Sequence, residues 1–158
     1  MTTTRVGQAT HALLRVVAGL LFLQHGGQKL FGWFGGVGGP AGGTVEILSL
    51  MGLAAVLEFA GGIAILLGLL TRPVAFLLSG EMAVAYLMSH QPHGAWPIQN
   101  HGETAVLFSF IFLFLAGDGA GAFSLDARLR RHPRGIRNGK RSGLPSIDSP
   151  HTSRPRAA

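Results

Sequence analysis

The sequence predicts an all-α protein, a bundle of four transmembrane helices with both termini in the cytoplasm. Three observations lead to this prediction. The 158 residues are 47% hydrophobic and only 13% charged, which is unusual for a soluble domain of this size. The apolar residues are concentrated in four segments. The basic residues outside these segments all lie at one of their two ends.

The four apolar segments have lengths close to those of membrane-spanning helices, which need about 20 residues. The third loses its apolar character after Met88, and the fourth has a short uninterrupted apolar stretch, residues 104–117. We interpret the fourth as spanning, because Asp118 would then sit at the far interface. The four helices make up a predicted transmembrane domain, residues 1–126. The predicted helices cover about residues 11–31, 47–70, 73–88 and 103–122.

The distribution of basic residues predicts the orientation. The loops at 32–46 and 89–102 contain no Lys or Arg, whereas Arg5 precedes the first helix and Arg72 lies in the turn between the second and third. Basic residues are enriched in cytoplasmic loops. Both termini and the Arg72 turn are therefore predicted to be cytoplasmic.

The last segment, residues 127–158, has a composition of its own. It holds nine of the 13 Lys and Arg residues and one of the seven acids, a balance of +8. With few large apolar side chains it is expected to be a disordered cytoplasmic tail, either solubilising or lying against anionic lipid. Because the basic charge is confined to this tail, we expect no nucleic-acid partner.

Polar residues interrupt the first apolar segment in the stretch LFLQHGGQKLFG. His25, Gln28 and Lys29 have the i, i+3, i+4 spacing of one helix face. At 1.5 Å per residue, Glu58 and Glu81 of the next two helices lie near the bilayer centre. A buried carboxylate must be paired or protonated, or must face a polar cavity. The polar face of the first helix is therefore expected to turn toward these two acids.

Three further residues complete the predicted buried polar network. Arg15 is expected to reach Glu58 from the inner side. Glu103, preceded by His101, marks the outer entry of the fourth helix and is expected to meet Lys29. Two interpretations remain open: interhelical contacts that fix the bundle, or a site where a small molecule or quinone head group binds and protons move.

Small residues and acids near the segment ends also carry predictions. Gly61 and Gly62 next to Glu58 should allow close helix approach. Asp118 and Asp126 are expected to act as interfacial caps that end the fourth helix.

No intrinsic cofactor and no metal site are expected. The chain has no cysteine, which excludes disulfides, thiol nucleophiles and thiolate-held metal centres. His90, His93 and His101 lie in a loop without tight ligand spacing, so they are interpreted as exposed histidines. Any redox function would therefore need a redox centre from elsewhere.

The sequence resembles the DoxX family of small four-helix bacterial membrane proteins. The resemblance covers roughly residues 11–129 and rests on LLRVVAGLLFLQHGGQKLFG, LEFAGGIAILLGLLTRPVAF, HGETAVLFSFIFLFLAGDGAG and FSLDARL. The family positions would be Arg15, His25, Gly26, Lys29, Glu58, Gly61, Gly62, Gly68, Arg72, Ser124 and Asp126.

This resemblance implies a multi-pass protein of the bacterial cytoplasmic (inner) membrane with a quinone-linked or sulfur-redox role. Relatives include the membrane subunit of a thiosulfate:quinone oxidoreductase. Without cysteine, this chain would be at most an oxidoreductase subunit lacking a redox centre, so whether it is an enzyme stays open. Quinone is the candidate cofactor; membrane lipids, a redox enzyme and further copies of the chain are the candidate partners.

Two alternative functions are compatible with the same residues. A small-molecule or proton-coupled transporter would use the buried Glu, His and Lys side chains as its substrate or proton site. A structural membrane anchor would recruit a partner through its basic tail.

Overall fold

The computed structural model describes residues 4–38 and 42–130, which form helices and loops without a β-strand. The basic tail beyond residue 130, and with it the predictions of disorder and lipid contact, lies outside the described residues. The all-α prediction is confirmed for the described part of the chain. The helices are α1 (Arg5–Phe31), α2 (Leu50–Leu67), α3 (Thr71–Ala85), α4 (Pro97–Asn100), α5 (Glu103–Asp118) and α6 (Leu125–Arg130).

Capping residues explain where α1 and α2 begin and end. The Thr4 hydroxyl accepts a hydrogen bond from the third amide of α1 at 3.2 Å, so this helix begins before the predicted residue 11. Ser49 caps α2 in the same way at 3.0 Å. Gly32 and Gly68, with φ of 71° and 68°, end α1 and α2 in the left-handed conformation that glycine adopts readily.

The third and fourth predicted segments also have different bounds. A π-helical turn, Tyr86–His90, continues α3 directly. The 15 residues of α3 and the five of this turn together match the roughly 20 residues of a membrane span. The 16 residues of α5 end four residues before the predicted end at 122, because the chain turns at Gly119, where φ is 93°.

Two of the helices are long and apolar enough to cross a membrane, namely α1 with 27 residues and α2 with 18. We call the end of the bundle near the end of α1 and the start of α5 the outer end, following the predicted orientation. The end near the α2–α3 turn is the inner end.

The helices pack as two antiparallel pairs, α1 with α2 and α3 with α5, which meet mainly through α2 and α3. Glycines bring the first pair into backbone contact. A Cβ on Gly62 would lie 2.5 Å from the Leu23 amide nitrogen, and one on Gly19 would lie 2.6 Å from that of Leu66. Gly61 faces Leu78 of α3 instead. The two glycines predicted to allow close approach thus serve two different interfaces.

An apolar core joins the two pairs. The Phe22 ring lies 5.0 Å from that of Phe108 and 4.5 Å from that of Phe112, both edge-on. Ile65 and Leu78 are fully buried beside them. This layer separates the outer half of the bundle from its inner end.

Candidate functional site

A groove of about 830 Å³ lies among the outer halves of α1, α2, α3 and α5. Its volume falls in the range of small-molecule sites, about 300–1,000 Å³. Most of its walls are apolar, and Phe22 and Phe108 form part of its lining. The polar residues that line it are His25, Lys29, Ser49, Glu58, Glu81, Ser89, His90, His101 and Thr104.

An ion pair crosses from α1 to α2 inside this groove. Lys29 Nζ lies 2.6 Å from Glu58 Oε1, with the lysine side chain 19% exposed and the glutamate only 4%. Removing one partner of such a pair would leave a buried charge uncompensated. The contact therefore ties α1 to α2 and places both charged groups at the groove wall.

Glu81 faces the same groove from α3. Both of its carboxyl oxygens are buried and find no hydrogen-bond partner among the described residues, and Glu58 Oε2 is in the same situation. Burying a carboxyl group without a partner is unfavourable. The groove thus presents two carboxyl groups that a bound molecule could satisfy.

Three histidines line the groove, namely His25, His90 and His101. Of these, His90 was not among the predicted site residues. His25 and His101 are exposed at its wall. At about 100° per residue, a regular helix would place His90 on the face opposite Glu81. The π-helical turn accommodates extra residues per turn, and His90 lines the groove. No three His, Asp or Glu side chains in residues 4–38 and 42–130 are grouped as a metal site requires.

Asn100 organises the loop at the outer end of the groove. It is 5% exposed, its Nδ2 donates to the Gly94 carbonyl at 2.8 Å, and its Oδ1 accepts from the Gly102 amide at 2.9 Å. Its main-chain oxygen lies 3.1 Å from His90 Nδ1. Because a carbonyl can only accept, Nδ1 carries the proton there. The sequence gives no periodic signal for Asn100, since its role depends on loop conformation.

Three predicted members of the network lie outside the groove, namely Gln28, Glu103 and Arg15. Gln28 donates to the Gly36 carbonyl at 3.0 Å and so fixes the loop after α1. Glu103 is exposed at the start of α5. The expected contact between Lys29 and Glu103 is wrong, because the lysine reaches across to Glu58 instead.

Arg15 lies at the inner end, and the expected contact with Glu58 is wrong. It is 2% exposed and donates to the carbonyls of Ile65 and Leu66, each at 2.5 Å, and of Phe123 at 2.7 Å. The last carbonyls of a helix lack partners within it. The guanidinium therefore satisfies the end of α2 and ties it to the segment after α5.

The stretch formed by residues 124–126, which follows α5, makes further contacts at the inner end. Asp126 accepts from the amides of Leu70 at 2.9 Å and Thr71 at 3.0 Å, so it caps the start of α3 and does not end the fourth predicted helix. Burial disfavours its charged form, but these backbone hydrogen bonds outweigh that effect and lower its pKa. Asp118, at the end of α5, lies 3.0 Å from His11 Nε2 of α1. The inner end is thus held by fixed structural contacts.

The helices expose large hydrophobic side chains, such as Leu20, Val56, Phe76 and Phe110, and enclose a buried ion pair. This combination is characteristic of a helical membrane protein. The chain belongs to the DoxX family, whose model matches residues 10–91. The predicted membership is confirmed.

Several proteins are similar along most of their length. An uncharacterised protein of Haemophilus influenzae is 40% identical over 118 residues, covering 73% of this chain and 87% of that protein. The inner membrane protein YqjF of Escherichia coli is 30% identical over 130 residues, covering 74% and 89%. The membrane protein Rv3486 of Mycobacterium tuberculosis is 30% identical over 135 residues, covering 75% and 80%. No solved structure is significantly similar to the chain.

Proposed function

We propose that this protein is a four-helix inner-membrane subunit or partner of a quinone-linked or sulfur-redox assembly, and that its outer groove holds the quinone head group. The observation that carries the proposal is a groove that combines apolar walls, the Lys29–Glu58 ion pair and the Glu81 carboxyl group, whose oxygens have no hydrogen-bond partner among the described residues.

Four crossings are supported by the surfaces of all four long helices. Beyond α1 and α2, α3 exposes Phe76 and Leu77, and α5 exposes Leu107 and Phe110. Large apolar side chains around the whole bundle are the surface expected of helices in contact with lipid. The inner-membrane name of the Escherichia coli relative supports the same compartment, and the absence of basic residues from the outer loops supports the orientation.

The groove fits a quinone in size, polarity and hydrogen-bonding chemistry. A quinone head group carries carbonyls that need donors, and its reduced form carries hydroxyls that need acceptors. The Lys29 ammonium can donate to a carbonyl, and a carboxyl group such as that of Glu81 can donate or accept according to its protonation. When bound, the quinone would supply two-electron, two-proton chemistry.

The chain's own residues would then bind, orient and exchange protons. Lys29 would fix one side of the head group, while Glu81 would face the other from α3. His90 and His101, nearer the outer end, would relay protons between Glu81 and the outer surface, because a neutral imidazole carries one nitrogen that donates a proton and one that accepts it. A partner protein would exchange the electrons, since this chain offers no cysteine.

The test is the quinone and protein content of the complex purified from its own membranes in mild detergent, measured by mass spectrometry. We expect wild type to retain quinone and a redox enzyme. Glu81→Leu should lower the quinone content by about ten-fold, equivalent to about 1.4 kcal/mol, since it removes one hydrogen-bonding group from the groove. Glu103→Leu, an exposed acid outside the groove, is the matched control and should leave the content unchanged.

Recovery of the wild-type protein alone, without quinone or a redox enzyme, would contradict the proposal and favour transport. One structural observation supports transport as the second candidate. The α1–α2 and α3–α5 pairs each pack closely within themselves but share few contacts with each other, so they could rock about the groove as alternating access requires.

A further inference from the structure

We propose that the ligand enters the groove sideways from the lipid, through a mouth between the outer halves of α2 and α3, and is therefore a lipophilic molecule with a long apolar tail and a compact polar head. This inference rests on the proposed quinone site and adds the route by which the molecule reaches Glu81.

The rim of the groove consists of large apolar side chains that are themselves exposed. Leu50 and Leu53 of α2 are 64% and 56% exposed, and Leu77 and Val84 of α3 are 57% and 50% exposed. All four line the groove. A mouth opening to water would be expected to carry polar side chains, whereas these residues match contact with acyl chains.

The Glu81 carboxyl group lies deeper than the outer end of the groove. Glu81 lies nine residues before His90 along the same continuous helical segment, a depth difference of roughly 13 Å at 1.5 Å per residue. A molecule with its head at Glu81 is therefore level with the apolar rim. Its tail can leave between Leu53 and Val84, which both line the groove and are exposed, without crossing the polar outer end.

Within residues 4–38 and 42–130, the inner side of the groove offers no comparable exit. The Phe22, Phe108 and Phe112 rings pack edge-on or stacked on one another, and Leu78 is fully buried beside them. Gly61 packs on Leu78 and joins α2 to α3 at this level. Thus α2 and α3 are in contact on the inner side of the groove, and both line the groove nearer the outer end.

Gly80 provides a way to block the mouth. It lines the groove, is exposed, and a Cβ built on it would meet no atom within 4 Å. A large side chain should therefore fit there without disturbing the helix packing. Gly117 of α5 is also exposed with open space around it but does not line the groove, which makes it the matched control.

The first experiment measures binding of decyl-benzoquinone to the full chain in lipid nanodiscs, together with the lipids that co-purify. We expect Gly80→Trp to weaken binding by about ten-fold or more and Gly117→Trp to leave it unchanged. If Gly80→Trp binds the quinone as tightly as wild type does, the lateral mouth is overturned, whereas the proposed quinone site is not. Absence of wild-type binding would overturn both proposals, and a bound phospholipid in its place would identify lipid as the occupant and overturn the quinone assignment.

A second measurement tests the mouth without any ligand. Because the chain has no cysteine, Gly80→Cys and Gly117→Cys each carry one nitroxide label at a defined position. We expect the Gly80 label to be more accessible to dissolved oxygen, which concentrates in lipid, than to a water-soluble nickel chelate. The Gly117 label, next to Asp118 at the end of α5, should be reached by the nickel chelate more readily than the Gly80 label. Preferential access of the nickel chelate to Gly80 would show a mouth open to water and overturn the inference.

Discussion

Glu58 and Glu81 are the same residue type on neighbouring helices of one groove, yet they differ in what surrounds them. Glu58 holds Lys29 at 2.6 Å, whereas Glu81 has buried oxygens without a partner in the described part of the chain. The same substitution should therefore affect the stability of the protein differently at the two positions.

Glu58→Leu should destabilise the protein, because it leaves the Lys29 ammonium without its partner. Removing one member of a buried ion pair costs about 3–5 kcal/mol, and the 19% exposure of the lysine places the expected loss near the lower end. Glu81→Leu should be neutral or stabilising, since its carboxyl oxygens make no hydrogen bond within the described residues. Thermal unfolding of the purified protein in one detergent measures both.

The double variant Lys29→Met, Glu58→Leu is the control for this comparison. It removes both charges together and should recover a large part of the stability lost in Glu58→Leu. Equal unfolding temperatures for Glu58→Leu and Glu81→Leu would show that the ion pair does not stabilise the bundle.

Sequence reasoning located the groove residues better than it located their partners. Helical spacing put His25 and Lys29 on one face and depth put Glu58 and Glu81 near them. It could not foresee that Arg15 would bind main-chain carbonyls, because every helix end carries such groups and the sequence does not show which end lies nearby. Pairing residues by opposite charge therefore gave the wrong partners for both Arg15 and Glu103.

At the scale of the elements, the α1–α2 interface depends on glycine. Gly62→Ala should lower the free energy of unfolding by about 1–3 kcal/mol, the usual effect of overpacking, because the added methyl group would lie 2.5 Å from the Leu23 amide nitrogen. A backbone atom cannot move aside as a side-chain tip can. Chemical or thermal unfolding in detergent measures the change.

Gly117→Ala is the matched substitution, since a Cβ there meets nothing within 4 Å. It should be neutral or stabilising, given the higher helix propensity of alanine. If both variants unfold alike, the close approach of α1 and α2 does not limit the side chain at residue 62.

Hydropathy predicted where the helices lie, but capping side chains and glycines determine the residues at which they begin and end. Thr4, Ser49 and Gly68 set bounds that apolar periodicity alone places several residues away. The π-helical turn after α3 could not be predicted, because no residue type specifies it. His90 joined the groove only through that turn.

For the whole molecule, Asp126 links stability to pH at the inner end. Its pKa in the folded protein lies below the ordinary value near 3.8, so its carboxylate stabilises the fold at neutral pH. That contribution is lost as pH falls below about 4 and the group takes up a proton. The unfolding temperature of wild type should exceed that of Asp126→Asn at pH 7, and the difference should shrink toward pH 3. Parallel curves over this range would contradict the linkage.

The arrangement of the bundle as two helix pairs was beyond reach of the sequence. Apolar segments and basic residues predicted an all-α membrane protein, which the structure and the family confirm. They carry no information about which helices pack most closely, since that depends on side-chain fit along each interface. The number of crossings and the orientation stay predictions.

The contacts of Arg15 have a consequence for biosynthesis. Arg15 is synthesised early. One of the three acceptors of its guanidinium, the Phe123 carbonyl, belongs to the last part of the helical domain to be synthesised. Until that segment arrives, a charged group within the first helix remains incompletely satisfied, and α3 lacks the Asp126 cap. The contacts that hold Arg15 to the closing segment and cap α3 can therefore form only after residues 123–126 have been synthesised.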